Sequence, residues 1–350
     1  MIPNKIAIRC VASTKQGFGN FNRSIILAEG LREKKYKILF LIEDNPKIIH
    51  ELIKRKFQYI IISKFKSVNK EAIHIINLLN KKNLKFLILD SREKGEILSK
   101  QISASNAQVF LLDDAWVSEA WADIVINGTM IKQYQKYKKF KRNSKIFIGT
   151  KYFIMNKNFL KNKKLVKEIK EKSKYNVVIS MGGSDPHGLT FKVLNSICTL
   201  KNIHIRVIMG PFMKEKAYQH EYEKKHISFI ESPKSIWNDF KKADLVISNA
   251  GNTLFELATQ RVPTICIPVI EHQIPYAKFF HTNGSAINLG FWKNVTNNDI
   301  KNTVIKLLKN SVKRKKMSSK GNKIIDGKGL FRVIQIIELF IKKTNLEKTL

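Results

Sequence analysis

A dozen short aliphatic runs, spread along the chain and separated by helix-like stretches, limit the possible folds more than any other feature of this sequence. In the first half they are "KIAIRCVA", "KILFLIE", "QYIIIS", "KFLILD", "QVFLLDD" and "ADIVING". In the second half they are "NVVISMGG", "IRVIMG", "ISFIES", "DLVISNAG", "TICIPV" and "AINLG". Most lack clean alternation of apolar and polar residues. That pattern suits strands covered on both faces rather than half-exposed ones. Stretches such as "RSIILAEGLREKK" and "NTLFELATQ" fill the gaps as helices. Strand–helix alternation of this kind predicts an α/β protein with parallel, doubly wound sheets.

The scheme is used twice. Each half opens with a strand, a glycine-rich turn and a helix: "AIRCVASTKQGFGNFNRS" and then "VVISMGGSDPHGLTFKV". The basic, polar segment between them places a domain boundary near residue 150, giving a first domain over 1–150 and a second over 151–350. The last helix candidate, "LFRVIQIIELFIKK" (330–343), is apolar on nearly every face, which points to deep packing, back across the junction. Open α/β sheets bind ligands at the carboxyl ends of their strands. Two such domains are therefore expected to face a central cleft.

Composition narrows the setting. With 350 residues, 43% of them hydrophobic, the chain can bury two substantial cores. No run approaches the roughly 20 apolar residues of a membrane span. The start, "MIPNKIAIRC", does not read as a signal peptide. Cys10, Cys198 and Cys266 are far apart in apolar patterns, so they read as buried thiols in a reducing compartment, and the expected location is cytoplasmic. Lys+Arg outnumber Asp+Glu by 64 to 28, a formal charge of +36. Three accounts of that charge compete. One is codon bias expressed on solvated faces. Another is peripheral association with an anionic membrane leaflet, at on the order of 1 kcal/mol per well-placed lysine. Nucleic-acid binding is the third, and it is not expected. The lysines concentrate only at 132–145 and 309–323, with no aromatic RNA-binding motif, helix-turn-helix or zinc knuckle beside them.

Two turns carry the local chemistry. "MGGSDPHG" (181–188) ends a strand in Gly182, Gly183 and Ser184, and Asp185 with Pro186 can open a helix. Backbone N–H groups at the positive end of a helix suit phosphate. A tight turn that merely uses glycine is the plainer reading. "ISNAGNTLFELATQ" repeats the pattern with Asn249, Gly251, Asn252 and Thr253, and sets Glu256 one turn into the following helix. A carboxylate there can accept from the vicinal hydroxyls of a ribose, or it can simply stabilise its own helix. Together the turns suggest a sugar-nucleotide pocket. Neither GxxxxGK[ST] nor GxGxxG occurs, which weakens the ATP-loop and dinucleotide readings.

These stretches, with "GFGNFNRSIILAEGL", "LLDD" and "ADIVING", resemble the UDP-sugar hydrolase of pseudaminic acid biosynthesis (UDP-2,4-diacetamido-2,4,6-trideoxy-beta-L-altropyranose hydrolase). That enzyme is related to the lipid II-forming N-acetylglucosaminyltransferases, of the two-domain GT-B fold. The resemblance covers about residues 5 to 290. It implies that UDP docks on the second domain, with Gly182, Gly183 and Ser184 near the diphosphate and Glu256 on the ribose. The sugar would then point toward Gly17 and Gly19 of the first domain, with Arg23 among the substrate-binding candidates. The departures matter as much. The family's loop histidine is Asn20 here, its strand aspartate is Val11 (with Arg9 and Ser13 kept), and its Asn-Gln-x-x-Asn run keeps only Gln273, with His272 and Tyr276 at the flanking positions.

Asparagine takes no proton near neutral pH, and loss of a positioned base costs about 10²–10⁴ in rate. Asn20 can still orient a water or hold a sugar hydroxyl. Candidates for a replacement base are Asp90, Asp113 and Asp114 at strand ends, and His187 and His272. A strand-end aspartate is equally a helix cap or loop acid. The expected function is release of UDP from a UDP-linked amino-deoxy sugar on the way to a nonulosonic acid. The alternatives are a GT-B glycosyltransferase with a UDP-sugar donor and a non-catalytic sugar-nucleotide binder. No metal and no cofactor is called for, since helix ends can supply the positive field.

Overall fold

The computed structural model describes residues 5–11, 19–91, 94–114, 118–166, 169–210, 213, 222, 226–231, 233 and 235–346. The chain forms two compact units, residues 1–155 with 328–350, and residues 156–327.

The first unit runs β1 (Lys5–Cys10), α1 (Gly19–Glu33), β2 (Lys37–Glu43), α2 (Pro46–Lys54), β3 (Gln58–Ile62), α3 (Val68–Lys81), β4 (Phe86–Asp90), α4 (Gly95–Ser103) and β5 (Gln108–Asp113). Short strands β6 (Glu119–Ala120), β7 (Ile124–Asn127), β8 (Lys139–Phe140) and β9 (Lys145–Ile148) follow. Seven strands form one sheet in the order β3-β2-β1-β4-β5-β7-β9, while β6 pairs with β8. Every pairing in the large sheet is parallel. The aliphatic runs explain the layout. β4 (FLILD) is buried at every position, as a central strand covered on both faces must be, whereas β3 at the edge is mostly half-exposed. The basic segment read as a boundary contributes β9, an edge strand whose "KIFI" is too short to stand out among its lysines.

The second unit contains α5 (Lys157–Lys161), β10 (Tyr175–Ser180), α6 (Leu189–Ile197), β11 (Ile203–Met209), β12 (Ile227–Glu231), α7 (Ile236–Lys242), β13 (Leu245–Ser248) and α8 (Asn252–Gln260). It continues with β14 (Thr264–Cys266), α9 (Ile274–Thr282), β15 (Ile287–Asn288), α10 (Asn297–Leu308) and α11 (Ser311–Ile324). Its sheet is parallel, in the order β12-β11-β10-β13-β14-β15. Cys198, expected among the buried thiols, is half-buried just past the end of α6, while Cys10 and Cys266 are buried in strands.

The last helix, α12 (Gly329–Leu346), groups with the first unit. Its Leu330, Val333, Ile334, Ile337 and Ile341 enter the core built on β1, β2 and α1. Each such aliphatic side chain contributes roughly 2 kcal/mol when removed from water. Helix α1 admits it at Gly30, where a β-carbon would lie 2.4 Å from Ile334 Cδ1. Not every apolar position of α12 is covered: Phe331 and Leu339 stay exposed. Among the described residues, no helix is long and apolar enough to cross a membrane.

Both sheets reverse their winding beside the first strand of the unit, between β1 and β4 and between β10 and β13. Loops leaving the carboxyl ends of those strand pairs diverge and leave room for a ligand. Asn20, Arg23 and Asp90 lie at the first of these places and the 182–184 and 249–253 turns at the second, while His272 and Gln273 follow β14.

Candidate functional site

In the second unit the switch point is walled by the turn after β10 and the turn after β13. Gly182 has φ +91°, which favours glycine, and a β-carbon there would lie 2.7 Å from Asn249 Nδ2. Asn249 clasps the two turns together. Its Nδ2 donates to the Met181 carbonyl (2.9 Å), and its Oδ1 accepts from Gly251 N–H (3.2 Å). One layer below, Ser248 Oγ donates to the Ser180 carbonyl at 2.7 Å. The exposed Gly183 and half-buried Ser184 complete the first turn, and among the described residues the N–H groups of 182–184 find no acceptor.

The two helices at this mouth differ. The cue of Asp185 and Pro186 suggested a helix opening at that point, with its N–H groups free for phosphate. Instead α6 begins at Leu189, and the Asp185 carboxylate accepts from Leu189 N–H (3.0 Å) and Thr190 N–H (2.7 Å). The protein's own carboxylate thus occupies the positive end of α6. Those two bonds also hold Asp185 at φ +35°, an unusual value for a residue with a side chain. His187, expected inside the helix, lies in the turn before it and stacks on Trp292, with centroids 4.2 Å apart and planes at 15°.

Helix α8 is open by contrast. Gly251 precedes it, and the N–H groups of Asn252 and Thr253 donate to no described residue. The first turn of such a helix attracts an anion. Gln273 supports this end from below. It is buried, its Oε1 accepts from Val269 N–H (2.9 Å), and its Nε2 lies 3.4 Å from where a Gly251 β-carbon would be. His272 sits beside it, half-buried in the same 3-10 turn.

Glu256 is four residues beyond Asn252 and three beyond Thr253, hence on the same face of α8. It is half-buried, with no hydrogen bond or ion pair among the described residues. Burial alone pushes its carboxyl up to about 7. A partly desolvated carboxylate with no cation beside it among the described residues costs free energy unless a ligand supplies donors. No described backbone N–H bonds to it, so Glu256 does not cap its own helix.

The first unit places its candidates at the β1–β4 switch point. Asp90, proposed from sequence as a base, is fully buried at the end of β4 and occupied at both oxygens. Arg23 grips it twice, Nε to Oδ2 at 3.0 Å and Nη2 to Oδ1 at 2.5 Å, and Ser24 Oγ donates to Oδ2 at 2.9 Å. Arg23 Nη1 also lies 3.5 Å from Asp114. Burial works against the guanidinium's charge, and Asp90 and Asp114 more than restore it, so Arg23 stays cationic. Asp90 therefore fixes Arg23, and Arg23, expected on substrate, is first a partner of carboxylates. Asp113 is tied in as well, accepting from Tyr137 OH (2.8 Å) and Asn127 Nδ2 (3.2 Å). Asn20 lies half-buried in the first turn of α1, one turn before Arg23, and its amide bonds to no described residue. Gly19 starts the helix. Gly17 lies outside the described residues.

Arg9 turns out to be a structural residue that sequence reasoning did not explain. It is wholly buried and bonds Glu71 (2.9 and 2.6 Å), Glu43 (3.0 Å) and the Cys10 carbonyl, while Lys94 reaches Glu71 at 2.8 Å. Arg9 and Glu71 are far apart in sequence, and only the folded sheet joins them. Cys10 Sγ is no nucleophile, since burial pushes it up to about 12.

Two parallel α/β sheets, each wound both ways from its first strand, form the architecture of the GT-B fold. The crystal structure of Acinetobacter baumannii MurG matches with a TM-score of 0.72 at 15% identity, over 96% of this chain and 99% of that one. The family described as the glycosyltransferase family 28 C-terminal domain matches residues 145–329, more than half of the chain, and the protein belongs to that family. Over 331 residues it is 26% identical to the spore coat polysaccharide biosynthesis protein SpsG of Bacillus subtilis, covering 93% of this chain and 95% of that protein. A shorter match, 29% identical over 108 residues, is to a Helicobacter pylori protein named pseudaminic acid cytidylyltransferase and UDP-2,4-diacetamido-2,4,6-trideoxy-beta-L-altropyranose hydrolase. It covers 31% of this chain and 20% of that protein.

Proposed function

We propose that the protein is an enzyme of sugar-nucleotide metabolism that binds a UDP-sugar on its second unit and releases UDP by hydrolysis. The observation that carries the donor site is the open end of α8 with Glu256 one turn inside it. In this reading the diphosphate lies on the N–H groups of Asn252, Thr253 and the 182–184 turn, and Glu256 accepts from the ribose hydroxyls. As the glycosyl–oxygen bond breaks, negative charge grows on the leaving diphosphate, and fixed backbone dipoles stabilise it without reorganising. The uridine and the amino-deoxy sugar come from the sequence resemblance and are supported by the short match to the Helicobacter pylori protein.

Asn20 would orient the attacking water through its amide, and the absence of a histidine there makes the reaction slow. Transfer to an acceptor hydroxyl is the second reading, favoured by membership of a glycosyltransferase family and by the side chain at position 20, which needs only to position a nucleophile. Incubation with UDP-linked amino sugars, with and without glycan or lipid-phosphate acceptors, separates the two. UDP release without acceptor, raised about 10²-fold by Asn20→His, is the expected result. Strict dependence on acceptor overturns hydrolysis, and binding without any turnover leaves only a sugar-nucleotide binder.

A further inference from the structure

Between Asp299 and Asp326 the chain carries nine basic residues and no acidic one. One of the nine, Arg314, turns inward. It is fully buried and donates to the Leu307 and Leu308 carbonyls at the end of α10 and to the Lys170 carbonyl. With Met317, Ser318 and Gly321 it forms the buried stripe of α11, at i, i+3, i+4 and i+7. Gly321 lets that stripe close against α8, where its β-carbon would meet Ala258 at 3.1 Å.

Most of the rest of α11 faces outward, apart from the half-buried Ser311, Asn322 and Ile324. Lys313, Lys315, Lys316, Lys320 and Lys323 are exposed together with Ser319, and Val312 is 61% exposed in the first turn. At 1.5 Å per residue this face is about 20 Å long. Lys306 and Lys309 extend it onto the end of α10. None of these lysines has an ion pair among the described residues. The other basic stretch is partly compensated: Lys139 reaches Glu119 at 3.4 Å and Lys141 reaches Asp123 at 2.7 Å, while Lys132, Lys136 and Lys138 have no ion pair among the described residues. Charge on α11 is therefore concentrated on one helix face and, among the described residues, uncompensated.

The chemistry of the face selects its partner. It presents flexible ammonium groups, with no outward arginine to fork onto a single phosphate. It has no aromatic ring on which a base could stack. A row of mobile point charges over a half-helix matches a diffuse anionic plane, and one exposed aliphatic side chain at its end can enter the interface. We propose that the outward face of α11 docks the protein on an anionic phospholipid surface. Since the face is opposite the stripe that packs on α8, docking leaves the helix end at Asn252 uncovered. The proposal stands apart from the choice between hydrolysis and transfer.

Sedimentation of the full chain with phosphatidylcholine vesicles, with and without phosphatidylglycerol, tests it. Binding is expected only with phosphatidylglycerol and should fall as salt rises. Lys313→Gln, Lys315→Gln, Lys316→Gln and Lys320→Gln combined should weaken it by about 100-fold or more. The control removes the same charge at Lys132, Lys136, Lys138 and Lys139 and should lose far less; unchanged melting temperature checks the folding of both variants. Equal losses in the two variants, or no binding by the parent protein, overturn the proposal. So does tighter binding to duplex DNA that the α11 substitutions abolish, which would give the face to nucleic acid.

Discussion

Glu256→Gln should make the protein more stable and a poorer binder at the same time. The carboxyl sits at about 7 in the folded protein, against 4.5 as its ordinary value. Between those two pH values the unfolded chain has released the proton and the folded chain still holds it, so folding loses stability as pH rises. The loss begins near the unfolded value and is complete above about 7, at about 1.4 kcal/mol per pH unit. The full penalty is roughly 3 kcal/mol. Glutamine keeps the shape and removes the charge, and should recover about 1–3 kcal/mol at pH 8 and little at pH 5. For a unit of this size each kcal/mol is worth about 2–4 °C in melting temperature. Binding should run the other way. A ligand whose hydroxyls donate to the carboxylate prefers the ionised form, so affinity for a UDP-sugar should climb about tenfold per pH unit below 7 and level off above it. In Glu256→Gln both the affinity and its pH dependence should be lost. Thermal unfolding and titration calorimetry across about pH 5–8 measure the two halves. A variant less stable than the parent at pH 8, or a stability gain that does not grow with pH, would refute the account of a half-buried carboxylate left unpaired among the described residues.

Gly182→Ala should abolish UDP-sugar binding and cost about 1–2 kcal/mol in stability from the positive φ, more if Asn249 cannot move aside; calorimetry and urea unfolding report each effect. Asp90→Asn breaks a buried pair on one side, leaving Arg23 uncompensated, and should cost about 3–5 kcal/mol. If Asp90 positions Arg23, any residual UDP release should keep the parent's pH profile, and loss of an acidic limb from that profile would instead make Asp90 a base.

Much of this architecture was legible without coordinates, because strands buried on both faces must be aliphatic throughout and carry that mark in their composition. Every run singled out corresponds to a strand of one of the two large sheets. The turns at 181–184 and 249–253 were legible as well, since glycine and small polar residues between a strand and a helix have few other uses. Strand β9 was missed because an edge strand needs little apolar surface. The start of α6 was misplaced because Asp-Pro suits a helix opening and a capping turn equally well, and the sequence does not say which backbone N–H the carboxylate will meet.

The sequence alone thus determined the class of fold and the location of the two glycine-containing turns proposed to bind ligand, both of which follow from local pattern. Tertiary structure decided which of those turns is open. Asp185 closes α6, and no described residue closes α8. Arg23 is drawn onto Asp90 from another element, and Glu256 is left without a partner among the described residues. Whether a charged group is paired depends on what long-range folding brings within about 3–4 Å of it, and no periodicity along a chain encodes that distance.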